Sequence, residues 1–360
     1  MEKALTQRVL TAAGAALVVA VLVAVLVAGG VPATAVGASD NVYTTSNLVS
    51  DVAGMAANTD SNLVNAWGLT SLPGSPWWVA DNETDVSTIY RANGTTARPP
   101  VHVPGSPTGA VSNTGSSFVV SNGTTSGPAA FLFATEDGTI LGWNPSVDPN
   151  NAVLAVPAAG AIYKGLAVAG DTLYATDFKN ARVDVFDGSF HAVNTPGAFV
   201  DPGIPDGYAP FGIQNVNGTL VVTYAKQDAE GEDDVAGQGH GFVDRFSTTG
   251  TFLSRVATHG QLNSPWGIAM APENFGRFSG DLLIGNFGDG QISAFERQSD
   301  GTFELVGQLR TSDRKVLTID GLWALQFGKG TMNNGPTTTL FFTAGPDDES
   351  HGLFGTIIAG

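Results

Sequence analysis

Two histidines close acidic runs in the same way. Gly239-His240-Gly241-Phe242 follows Asp228, Glu230, Glu232, Asp233 and Asp234, and Ser350-His351-Gly352-Leu353 follows Asp347, Asp348 and Glu349. Imidazoles beside carboxylates suit a general acid/base pair or a transition-metal site, whereas two unrelated turn histidines are the bland alternative. Lys164 and Asp320 stand just before Gly165 and Gly321, a place where Trp67, Phe211 and Trp266 precede their own glycines. A charge that breaks an aromatic rule points to a base, an electrostatic contact or a ligand, or simply to a solvated rim. The expected catalytic residues are therefore His240, His351 and Lys164. The expected metal ligands are Asn82, Asp177, Asn286 and Asp320, hard oxygen donors that suit Ca²⁺.

These residues must be positioned by a repeat. Gly68, Gly109, Gly165, Gly212, Gly267 and Gly321 each open a short apolar run, at intervals of 41 to 56 residues. A second strand follows each run, as in Trp77–Ala80 or Thr172–Ala175, and then a third, as in Arg182–Phe186. Short apolar runs punctuated by Gly, Asn, Asp and Pro are strand signals, and this spacing is that of propeller blades. The expectation is an all-β, six-bladed β-propeller of four-stranded blades. The last repeat ends at Gly360 without an outer strand, so Asn47-Leu48-Val49-Ser50 is expected to complete the last blade and close the ring. The start of each inner strand and the loop after each second strand then meet at one mouth of the channel. Close to half of the acidic residues fall in those loops, among them Asp81, Glu83, Asp85, Glu136 and Asp137.

Residues 1–38 read as a signal peptide or N-terminal anchor, and 39–360 as one propeller domain. Lys3 and Arg8 precede an uncharged stretch from Val9 to Val31, and Ala33-Thr34-Ala35 and Val36-Gly37-Ala38 offer small-residue cleavage sites. Secretion, or retention by that anchor, is expected. The absence of cysteine excludes disulfides, thiolate metal sites and cysteine nucleophiles. A net charge of −17 argues against nucleic acid and anionic membrane surfaces. No Gly-x-Ser-x-Gly elbow, His-Glu-x-x-His or phosphate loop occurs.

Pro265-Trp-Gly-Ile-Ala269 with Leu283-Ile-Gly-Asn286, and Tyr174-Ala-Thr-Asp177, resemble the NHL-type repeat of six-bladed propellers. Longer strings are similar to an uncharacterised family of exported bacterial proteins, some with a PEP-CTERM sorting tail. They include Trp78-Val-Ala-Asp-Asn82, Tyr208-Ala-Pro-Phe-Gly-Ile-Gln214, Tyr224-Ala-Lys-Gln-Asp228 and Phe342-Thr-Ala-Gly-Pro-Asp-Asp-Glu349. The tail itself does not occur before Gly360. That resemblance implies a compartment and no mechanism. At the level of the fold alone, the acidic mouth is like that of gluconolactonase-like and paraoxonase-like propellers, which hold Ca²⁺ and hydrolyse lactones or esters. The functional expectation is an exported monomer whose acidic mouth binds a divalent cation and an extracellular small molecule, carbohydrate or protein. A metal-dependent lactonase-type hydrolase and a non-catalytic surface or matrix module are the alternatives.

Overall fold

The computed structural model describes residues 41–360. The expected signal peptide or anchor, residues 1–38, lies outside the described residues. The chain forms an all-β, six-bladed propeller. In blade order the inner strands are Ala66–Thr70, Pro107–Ser112, Tyr163–Ala169, Tyr208–Val216, Pro265–Met270 and Leu322–Phe327. Five blades have four or more strands. Blade three has three, and its outer position is held only by a bridge between Phe186 and Ala192.

Close packing around the axis explains the repeated glycine. A Cβ on Gly165 would lie 2.7 Å from the Phe211 carbonyl oxygen, and one on Gly267 would lie 2.6 Å from that of Trp323. Real Cβ atoms do not approach so closely, so only glycine lets adjacent inner strands touch. These contacts also correct the reading of blade six. Trp323, not Asp320, sits where Lys164, Phe211 and Trp266 sit in their blades, and Ala324 takes the place of the glycine. The Ala324 amide donates to Thr343 Oγ1 (3.1 Å), as the Gly212 amide donates to Thr223 Oγ1 (2.8 Å). Asp320 is three residues upstream in an exposed loop, where it accepts the Asp347 amide (3.0 Å).

The ring closes as the sequence implies. Tyr43–Ser50 pairs antiparallel with Leu353–Ala359 and becomes the outer long strand of the last blade. Tyr43 anchors the clasp: it is 1% exposed, its ring packs against Phe275 and Phe278 of blade five, and its hydroxyl donates to the Phe275 carbonyl (3.0 Å). Asp51 fastens the other end, accepting the Gly352 amide (2.8 Å) and lying 2.8 Å from His351 Nδ1. Replacing Tyr43 by Ala should destabilise the protein by about 3–5 kcal/mol, the cost of emptying a large aromatic site. Urea denaturation measures this, and a loss below about 1 kcal/mol would show that the clasp holds little.

Candidate site at the channel mouth

Two residue columns build the mouth. The first is the residue before each inner-strand glycine or its equivalent: Trp67, Thr108, Lys164, Phe211, Trp266 and Trp323. The second follows the last residue of the second strand in five blades, Asn82, Glu136, Phe178, Phe287 and Gly345, and in blade four it is Ala225, inside the strand Thr219–Lys226. Their aromatic members form a plug across the channel. Trp67 and Trp323 stack at 3.5 Å between centroids, Phe287 stacks on Trp323 at 4.0 Å, and Phe211 and Trp266 meet both indoles edge-on.

Lys164 is the charged member of the first column. Its side chain is 2% exposed, yet its ammonium is ion-paired with Glu136 of blade two and, at 3.0 Å, with Asp233 of the blade-four loop. It also lies 5.3 Å from the centre of the Trp67 ring, a cation–π contact. Burial pulls the lysine pKa down, but the two carboxylates outweigh it and hold the ammonium above its ordinary range. Lys164 is therefore a fixed cation and not a general base at neutral pH.

A hydrogen-bond net extends from it. Asn82 donates to Glu136 Oε2 (2.9 Å) and accepts from Asn65 Nδ2 (3.3 Å). Asn65 also donates to Glu349 Oε2 (2.6 Å) and accepts from Trp323 Nε1 (3.1 Å). Asn65 can do this because it adopts a left-handed backbone, φ 47°, which asparagine tolerates. Glu349 is delivered by three consecutive residues in that region, Asp347, Asp348 and Glu349, at φ 57°, 50° and 65°. Such strain in non-glycine residues persists where the surroundings impose it, and it clusters at functional sites. Burial, with help from the charges of Glu136 and Asp234, pushes the Glu349 carboxyl up to about 7. Burial likewise raises Asp234, whose Oδ2 has no hydrogen-bond partner.

The expected residues divide. Lys164 and Asn82 face the mouth. Asp177 and Asn286 are one residue too early, because Phe178 and Phe287 hold the column that Asn82 and Glu136 hold in their blades. A one-residue offset on a strand reverses the side chain. Asp177 instead binds Asn180 Nδ2 (2.7 Å) and Arg182 (3.1 Å), and Asn286 donates to the Gln261 carbonyl (2.7 Å) and Asp289 (3.1 Å). His240 Nδ1 is 2.8 Å from the Val235 carbonyl oxygen and His351 serves the terminal clasp, so neither imidazole is bonded to the Lys164 net. Among the described residues, no three His, Asp or Glu side chains are grouped to hold a metal ion. Of the other mouth residues, Asn65 was not named from the sequence, and Glu136, Asp233 and Glu349 were named only as members of the acidic loops. Only Glu136 carried a usable signal, since it shares a column with Asn82.

No family model matches the chain. Two uncharacterized proteins of Acanthamoeba polyphaga mimivirus are similar along most of their length. One is 36% identical over 325 residues, covering 86% of this chain and 78% of the relative. The other is 32% identical over 328 residues, covering 86% and 84%. The chain belongs to the family of these proteins. These relatives are viral, where the sequence strings resembled a bacterial family. A structural genomics protein of unknown function from Bacteroides thetaiotaomicron superposes with a TM-score of 0.57 at 9% identity, covering 88% of this chain and 76% of that one, which supports the propeller fold alone.

Two outcomes test this geometry. Lys164→Met leaves Glu136 unpaired and should cost about 3–5 kcal/mol, most of it recovered in the double variant Lys164→Met, Glu136→Gln. Additive losses would contradict the pairing. The second concerns pH. A carboxyl raised from 4.5 to about 7 keeps a proton in the folded state that the unfolded chain releases, so stability falls as pH rises through that window. Asp244, raised by burial from 3.8 to about 7, acts in the same sense. Glu349→Gln should therefore flatten the fall between pH 5 and pH 8, read by urea denaturation, without abolishing it; a profile parallel to wild type would refute the assignment.

Proposed function

We propose that this protein is an exported binding propeller whose mouth takes up an organic cation, a protonated amine on a small molecule or peptide, from outside the cell. One observation carries the reading: the mouth holds more negative charge than its lysine neutralises. Glu136 and Asp233 pair with a single ammonium whose charge Asp234 and Glu349 also feel, and Glu349, raised mainly by burial and further by Glu136 and Asp234, keeps its proton to about pH 7. A second cation would relieve that excess and let Glu349 ionise. A protonated amine suits the donor set better than Ca²⁺, which needs 6–8 oxygens at 2.3–2.6 Å. Three of the four mouth carboxylates, Glu136, Asp233 and Glu349, are already engaged with Lys164, Asn65 and Asn82. Binding is favoured over hydrolysis because Lys164 stays protonated and neither His240 nor His351 joins the net.

The test is calorimetry at pH 7 in two buffers of different ionisation enthalpy, with spermidine, Ca²⁺ and neutral sucrose as probes. Spermidine should bind and release protons into the buffer, should bind less tightly at high salt, and should lose the proton release in Glu349→Gln. Spermidine binding that is absent, or that proceeds with the same proton release in Glu349→Gln, would defeat the proposal. Tighter binding of Ca²⁺ than of spermidine would restore the metal reading.

A further inference from the structure

Below the aromatic plug the channel opens into a chamber of about 260 Å³, lined by the inner strands of all six blades. Its character is opposite to that of the mouth. No Asp or Glu lines it, in a chain with 33 acidic and 16 basic residues. Its polar groups are the hydroxyls of Thr70 and Ser112, the amides of Gln214, Asn215 and Gln326, and one ammonium, Lys329. Gln326 and Gln214, from blades six and four, meet across the axis at 3.4 Å. Trp266 contributes to the wall, and its indole N–H is already spent on the Lys164 carbonyl (3.0 Å), so the ring itself is what it offers.

Lys329 differs from Lys164 in one respect. Its ammonium donates to the Ser71 carbonyl, but among the described residues no carboxylate lies within ion-pairing distance. Burial without an acid partner pulls its pKa below the ordinary lysine range. An exposed cation with no counter-charge, at the rim of an acid-free chamber, is completed by an anion. The amides and hydroxyls each donate and accept, which matches ligand hydroxyls, and the indole face matches the C–H face of a sugar ring. The volume lies just below the usual range of ligand pockets, room for one small molecule.

We propose that this chamber binds a small polyhydroxylated carboxylate of sugar-acid type, with Lys329 on the carboxylate and Gln214, Gln326 and Asn215 on the hydroxyls. The site is separate from the mouth, because the plug of Trp67, Trp323 and Phe211 lies between them.

Calorimetry and intrinsic tryptophan fluorescence with D-gluconate and D-galacturonate, against neutral D-glucose, test this. The expected result is saturable binding of at least one acid, about tenfold tighter than glucose, with about tenfold loss in Lys329→Met. Glu349→Gln should leave it unchanged, which separates this site from the one proposed at the mouth. Absence of binding at millimolar acid, equal affinity for glucose, or full affinity in a folded Lys329→Met protein would overturn it. Should Lys329→Met fail to fold, Gln214→Leu reads the same chamber: about tenfold weaker binding supports the proposal, and undiminished binding rejects it.

Discussion

The buried ammonium of Lys164 is the interaction on which the mouth depends. Removing a lysine from water costs several kcal/mol, so it sits at the axis only because partners from three directions compensate it. Glu136 comes from blade two, Asp233 from the blade-four loop, and the Trp67 ring from blade one. The ion pairs therefore tie blade three to both of its neighbours, the Trp67 contact reaches on to blade one, and together they fix the charge about which Asn82, Asn65 and Glu349 are ordered. Burial, with the neighbouring carboxylates of Glu136 and Asp234 adding to it, is what raises Glu349, and the unneutralised charge on that net underlies the affinity for a further cation that we propose.

The plug gives the channel two unlike ends. Four aromatic side chains in the first column pack on one another between the acidic net and the acid-free chamber. Trp266 touches both, donating to the Lys164 carbonyl while walling the chamber. The circular architecture makes this possible, since each blade presents one residue to each level of the axis and the levels differ in chemistry.

Much of the fold was legible because a physical constraint wrote itself into the sequence. Inner strands that nearly touch require glycine, and five of the six glycines mark the same place in their blades. The sixth misled: Gly321 stands three residues before the true position, where Ala324 is tolerated, and Asp320 was carried into the mouth with it. The clasp at Tyr43–Ser50 was readable because the last blade lacked an outer strand. The site was less legible. Period-two alternation made a one-residue offset decisive, which removed Asp177 and Asn286 while keeping Asn82. The acidic loops were recognised as a group, but the choice of Asp233 and Glu349 from among them depends on reach across blades and on strained backbone at 347–349. Neither has a signature in linear spacing.

The most direct measurement is an NMR titration of the Lys164 side chain, assigned by comparison with Lys164→Met. A fixed cation at the mouth predicts an ammonium that stays protonated beyond the ordinary lysine midpoint of about 10.4, for as long as the protein remains folded. A Lys164 that loses its proton near neutrality would contradict the account and make it a base.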